Sequence, residues 1–195
     1  MRKTIKTPFT LSGTGLHSGA PAAVRLFPSD GGLRVMRRGA SFAATWANVR
    51  PARLCTLLAS PDDPSFTLST VEHLMAALAG AGVTDAVIEV SGPEVPILDG
   101  SALPFLDAVE DAGTEMVPGA RDRLVITKPV VYAEGEASAA LLPADRFTAE
   151  FAIDFAHPAI GRQAVRFDPR TDRFREDLAA ARTFCMDADV RRMRA

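Results

Sequence analysis

Apolar and polar residues alternate through much of the first 60 positions, a period of two that predicts extended strands. A first hairpin is predicted between Lys6 and Leu26. Its strands flank Ser12-Gly13-Thr14-Gly15-Leu16-His17-Ser18-Gly19, whose three glycines permit a tight, irregular turn. Ala23 to Phe27 alternates as a strand and stops at Pro28-Ser29-Asp30-Gly31-Gly32, a strong turn signal. Further strands are predicted from Leu33 to Arg37, from Ser41 to Trp46 and from Arg53 to Ala59. The period then lengthens. Ser69 is placed as an N-cap with Glu72 three residues on, completing a capping box. Val71, Leu74, Met75 and Leu78 give the following helix its apolar face, and Gly80 or Gly82 ends it. Val83 to Val90 reads as a strand, Pro93 to Gly100 as a loop, and Ser101 to about Ala112 as a second helix burying Leu103, Phe105, Leu106 and Val109.

Pro118, Gly119 and several charges mark Gly113 to Arg123 as a linker, with the boundaries drawn at 1–117 for a first domain, 118–123 for the connection and 124–195 for a second domain. The pattern then starts again. Ala22 to Asp30 and Ala137 to Asp145 share Ala, Leu, Pro and Asp at matching places, and each follows a candidate hairpin. Strands are predicted over 124–132, 137–142 and 148–155. Phe174, Leu178 and Ala181 have the spacing of a short helix, and another helix is predicted to begin at Asp187. The fold class expected is α+β: two similar units, each a sheet packed on helices. The second has room for fewer helices, so the internal comparison predicts it to be unfinished within the chain.

Composition narrows the functional classes. In 195 residues, 47% hydrophobic, the 22 basic and 24 acidic side chains nearly cancel, so bulk charge recruits neither nucleic acid nor an anionic membrane. The arginines at 182, 191, 192 and 194 read as a solvated helical face. Cys55 and Cys185 make no CxxC pair, which argues against a disulfide scaffold and a zinc ribbon. The charged start has no apolar region after it, and no stretch approaches the ~20 apolar residues of a membrane span. The expectation is a soluble protein of a reducing compartment, the cytoplasm.

Three histidines, at 17, 73 and 157, are the candidates for metal or acid–base chemistry. His73 stands out because it adjoins Glu72 at a helix start, where the dipole favours a carboxylate or an oxyanion. Neighbouring residues lie ~100° apart around a helix, so both can reach one cleft. Spacing alone leaves Glu72 between two readings, helix cap and proton acceptor. A catalytic zinc takes three protein ligands and an open position, and here the helix offers one of them where HExxH would offer two. Gly13-Thr14-Gly15 matches neither GxGxxG nor a P-loop.

Several segments together resemble the UDP-3-O-acyl-N-acetylglucosamine deacetylases, the zinc hydrolases of bacterial lipid A synthesis. In chain order they are Gly13 to Gly19, Leu54-Cys55-Thr56, Ser69 to Leu74 with Ala76-Ala77-Leu78, Pro93 to Ala102, Ile153-Asp154-Phe155 with His157 to Ile160, and Ala181 to Phe184. The resemblance implies two domains of similar topology with the active site between them. It implies Glu72 as general base, His73 as one of three Zn2+ ligands and Thr183 as a donor to the tetrahedral oxyanion. Leu16 and Phe184 would line the passage for the acyl chain of a UDP-sugar lipid substrate. The family's other two zinc ligands, a His and an Asp one helical turn apart, and a further His acting as general acid, come later in the family's sequence. After Phe184 this chain has eleven residues and no His. The resemblance thus covers roughly the first two-thirds of the family's length, and the chain alone is expected to bind zinc and turn over weakly. Apolar surface left uncovered on the second domain is expected to invite self-association. The alternative is a non-catalytic paralogue that binds the sugar nucleotide or acyl chain.

Overall fold

A computed structural model of the chain describes residues 1–120, 123–187 and 191. The fold is α+β and divides into two compact units: Met1–Ala120 together with Arg175–Ala195, and Arg121–Phe174.

In the first unit the strands are β1 (Arg2–Ile5), β2 (Phe9–Thr14), β3 (Pro21–Phe27), β4 (Leu33–Arg37), β5 (Ala40–Ala43), β6 (Val49–Arg50), β7 (Leu57–Ala59) and β8 (Thr67–Ser69). Helix α1 (Glu72–Gly80), β9 (Ala86–Val90), α2 (Leu103–Ala112) and β10 (Thr114–Val117) follow. The main sheet has the order β2-β3-β9-β4-β5, antiparallel except where β4 runs parallel to β9. Beside it, β6-β7-β8 form a small sheet, and β10 returns to pair with β1. The predicted hairpin is β2-β3, with Thr14 opposite Pro21 and the glycine-rich turn between them.

Period-two patterning builds the core. Ala22, Val24 and Leu26 of β3 are buried, as are Ala86, Ile88 and Val90 of β9. Leu74, Ala77 and Leu78 of α1 and Phe105, Leu106 and Val109 of α2 complete it, the two helices packing on each other. Under the small sheet, Phe42 and Phe66 meet edge to face at 4.9 Å.

Several expectations change in detail. Serine 69 is not the cap of α1. It lies in β8, its N–H donates to the Pro93 carbonyl, and its hydroxyl donates to the same oxygen, so loop 93–95 has claimed it. Glu72 is itself the first helical residue, Val71 is the cap residue without a side-chain bond, and Thr70 at φ 58° turns strand into helix. The strand predicted to reach Trp46 stops at Ala43, and Trp46 stands 86% exposed in a 3₁₀ turn. The one predicted from Arg53 begins at Leu57, because Leu54 adopts left-handed backbone at φ 59°. Thr114–Val117, placed in the linker, is β10.

The second unit consists of two antiparallel hairpins, β11 (Val130–Glu134) with β12 (Ala137–Leu141) and β13 (Ala149–Phe155) with β14 (Gly161–Phe167). β12, like β3, is the second strand of its hairpin, where the sequence similarity falls. β14 was not foreseen, because Gly161-Arg162-Gln163 gives no apolar alternation at its start. The predicted helix over 174–181 is a π-helical turn, Arg175–Ala179, belonging to the first unit. Most of the helix predicted from Asp187 lies outside the described residues.

Candidate functional site

Glu72 and His73 open α1, both half-buried. One carboxylate oxygen of Glu72 accepts the Thr56 N–H at 3.0 Å, which fixes the side chain and leaves its other oxygen for chemistry. Thr56 is held next to the helix start by the turn after Leu54. Cys55 sits in the same corner: burial pushes its thiol up, Glu72 and Glu94 add to the rise, and a hydrogen bond from the Thr70 backbone opposes them. A thiol held in that form is a poor nucleophile and a poor metal ligand.

Glu94, on the loop after β9, is 3% exposed and was not among the residues the sequence singled out. It accepts hydrogen bonds from the His17 N–H at 2.9 Å, the Ser18 N–H at 3.0 Å and the Thr70 hydroxyl at 3.1 Å. Burial pushes its carboxyl up, but these donors outweigh burial and hold it below the usual carboxylate range. Gly15 passes so close to Glu94 and Ser18 that a Cβ there would collide with both side chains. The available signal was one glutamate framed by Pro93 and Pro96, beside the apolar Val95, Ile97 and Leu98.

That loop links the remaining predicted residues. Ser69 and Glu94 form a bridge, Val95 donates to Ser69, and the Ile97 N–H donates to the Thr14 carbonyl. Leu98 adopts φ 53°. Asp99 accepts from the Ser101 hydroxyl and N–H; burial raises its carboxyl, but these bonds and the Arg182 charge carry it below the usual range. Arg182 donates to the Asp99 carbonyl at 2.9 Å, and the Thr183 N–H donates to the Gly100 carbonyl at 2.8 Å. Thr183 therefore sits on the far end of the loop whose near end meets Ser69. Leu16, 41% exposed, rides on the turn that Glu94 holds, and Phe184, 52% exposed, follows Thr183. His17 is exposed on the same turn, while exposed His157 lies in the second unit, accepting the Ala159 N–H through Nδ1.

Among the described residues no three His, Cys, Asp or Glu side chains converge closely enough to hold a metal ion. No helix among them is long and apolar enough to cross a membrane.

The comparisons with known proteins cover the chain throughout. The family model for UDP-3-O-acyl N-acetylglycosamine deacetylase matches residues 2–195. A UDP-3-O-acyl-N-acetylglucosamine deacetylase of Anaeromyxobacter sp. (strain Fw109-5) is 38% identical over all of this chain and 64% of its own length. That of Geobacter sp. (strain M21) is 38% identical over all of this chain and 65% of its own. That of Aliivibrio fischeri (strain ATCC 700601 / ES114) is 39% identical over 97% of this chain and 64% of its own. The chain thus spans just under two-thirds of the length of the curated relatives it matches. With the family model matched from end to end, this chain belongs to the UDP-3-O-acyl N-acetylglycosamine deacetylase family.

Proposed function

We propose that this chain carries the Glu72–His73 part of a zinc-dependent hydrolase that removes the N-acetyl group from UDP-3-O-acyl-N-acetylglucosamine in lipid A synthesis. The observation that supports it best is the first turn of α1, where Glu72 is pinned through one oxygen by the Thr56 N–H beside His73. Glu72 is the proton acceptor for the water that attacks the acetamide carbonyl. The geometry suits that task, because a base held by one oxygen keeps the other within reach of water. The Thr183 N–H is committed to Gly100, so its hydroxyl is the group that serves the oxyanion. Leu16 and Phe184, both exposed, receive the acyl chain. His73 is one zinc ligand, and zinc, when bound, would polarise the carbonyl and lower the pKa of its water.

Among the described residues no converging ligand set accompanies His73. Acetate release from the UDP-sugar lipid by the protein, with and without a chelator, tests the reading. Chelator-sensitive release supports it. Saturable binding of the substrate with no acetate released would point to a non-catalytic binder.

A further inference from the structure

We propose that Glu94 is a positioning residue, holding the 15–18 turn and the start of α1 as one mechanical unit. Its buried carboxylate is shared between two elements far apart in sequence. On one side it accepts the N–H groups of His17 and Ser18; on the other it accepts the Thr70 hydroxyl. An ionised carboxylate is stable in such a place only when donors surround it, so both partners must stay where they are. Thr70 is not a passive partner. It is a non-glycine residue in left-handed backbone, two residues before Glu72, and such backbone persists only when its surroundings fix it.

From Thr70 the coupling continues by short steps. The chain runs from Thr70 to Glu72, two residues on, and Glu72 accepts the Thr56 N–H. The Glu94 backbone is zipped to the strand before α1, through Ser69 N–H to Pro93 and Val95 N–H to Ser69. At the other end, Gly15 has no space for a side chain against Glu94, so the turn carrying Leu16 cannot shift without moving the carboxylate. Leu16 and Glu72, assigned to acyl chain and proton transfer, are thereby tied to one group that touches neither reacting centre.

The catalytic consequence rests on the deacetylase reading; the coupling itself does not, and the test separates them. Glu94→Gln replaces one accepting oxygen with an NH2 group, while Thr70→Val cuts only the link toward α1. Amide exchange and His73 ring resonances of the folded chain are compared with wild type by NMR, using no substrate. For Glu94→Gln, exchange at His17, Ser18 and Thr56 should rise at least tenfold and the His73 ring signals should move, with Val24 and Leu26 unchanged. For Thr70→Val, Thr56 and His73 should respond while His17 and Ser18 hold. If Glu94→Gln loosens only His17 and Ser18, Glu94 is a local anchor and the proposal fails. If Glu94→Gln also loosens Val24 and Leu26, Thr70→Val decides: unchanged Thr56 and His73 overturn the coupling. In the acetate-release assay, Glu94→Gln should lower kcat at least tenfold. A wild type without turnover sinks the deacetylase reading, and the exchange data still judge the coupling.

Discussion

Of the two carboxylates in the corner before α1, Glu72 keeps an oxygen available, whereas both oxygens of Glu94 accept hydrogen bonds. That difference separates a group suited to chemistry from one suited to architecture. Gly15 belongs to the architecture. Gly15→Ala forces a methyl group against Glu94 and Ser18, and overpacking of this kind costs about 1–3 kcal/mol. A denaturant midpoint lowered accordingly, with faster exchange at His17 and Ser18, is the expected outcome. Asp85 is a structural counterpart far from α1's start. It is 1% exposed, paired with Arg2, and accepts the Gly32 N–H at 2.7 Å and the Thr84 hydroxyl at 2.6 Å. Burial raises its carboxyl, and these partners more than reverse that, so its folded pKa lies below the unfolded one. Its stabilisation is then complete above the ordinary carboxylate range and is lost as pH falls below that range. Asp85→Asn should cost about 2–3 kcal/mol near neutral pH, and the deficit against wild type should shrink in acid melts.

At the level of elements, the two helices begin by different means. The cap residue of α2, Ala102, makes no side-chain bond, but one residue earlier the buried Ser101 hydroxyl accepts the Leu103 N–H at 3.2 Å and donates to Asp99 at 2.8 Å. Ser101→Ala should therefore cost about 1 kcal/mol in thermal melts, the usual net loss for a removed hydrogen bond. Helix α1 has no such side chain, and its start is set by the Thr70 turn. This contrast shows where the sequence was legible. Helix existence, the β2-β3 hairpin and the apolar faces follow from spacing, which is a local property. The role of Ser69 does not, because loop 93–95, 24 residues on, competes for its hydroxyl and wins. Glu94 was invisible for the same reason: its partners at 17, 18 and 70 are brought to it only by the sheet. Adjacency at a helix start marked out Glu72 and His73, but their roles came only from the resemblance, since a capping box explained the glutamate equally well. Arg175 fastens the π-helical turn to α2 through Asp107 and Glu110, but all three side chains are 40–50% exposed. Arg175→Ala should cost less than about 1 kcal/mol for that reason, a shift readable by denaturant titration.

Across the whole molecule the two units differ in how they are held. Met1–Ala120 has a continuous apolar core, whereas every residue of β11 and β12 is exposed and Val131, Tyr132 and Phe151 are each about two-thirds exposed. The second unit relies on backbone pairing, the Arg146–Asp168 ion pair at 2.9 Å and the Phe167–Phe174 contact at 6.4 Å. Local opening follows such differences in burial. Amide exchange should therefore be fastest in β11–β14 and slowest in β3 and β9. The chemistry assigned here lies in the better-held unit, where a catalytic carboxylate needs to be. The most direct measurement is acetate release from UDP-3-O-acyl-N-acetylglucosamine by the protein, wild type against Glu72→Gln. The glutamine keeps the carbonyl that accepts the Thr56 N–H, so the melting temperature should hold while turnover falls by about 10²-fold or more. Equal rates in the two proteins would contradict the assignment of Glu72 as the base.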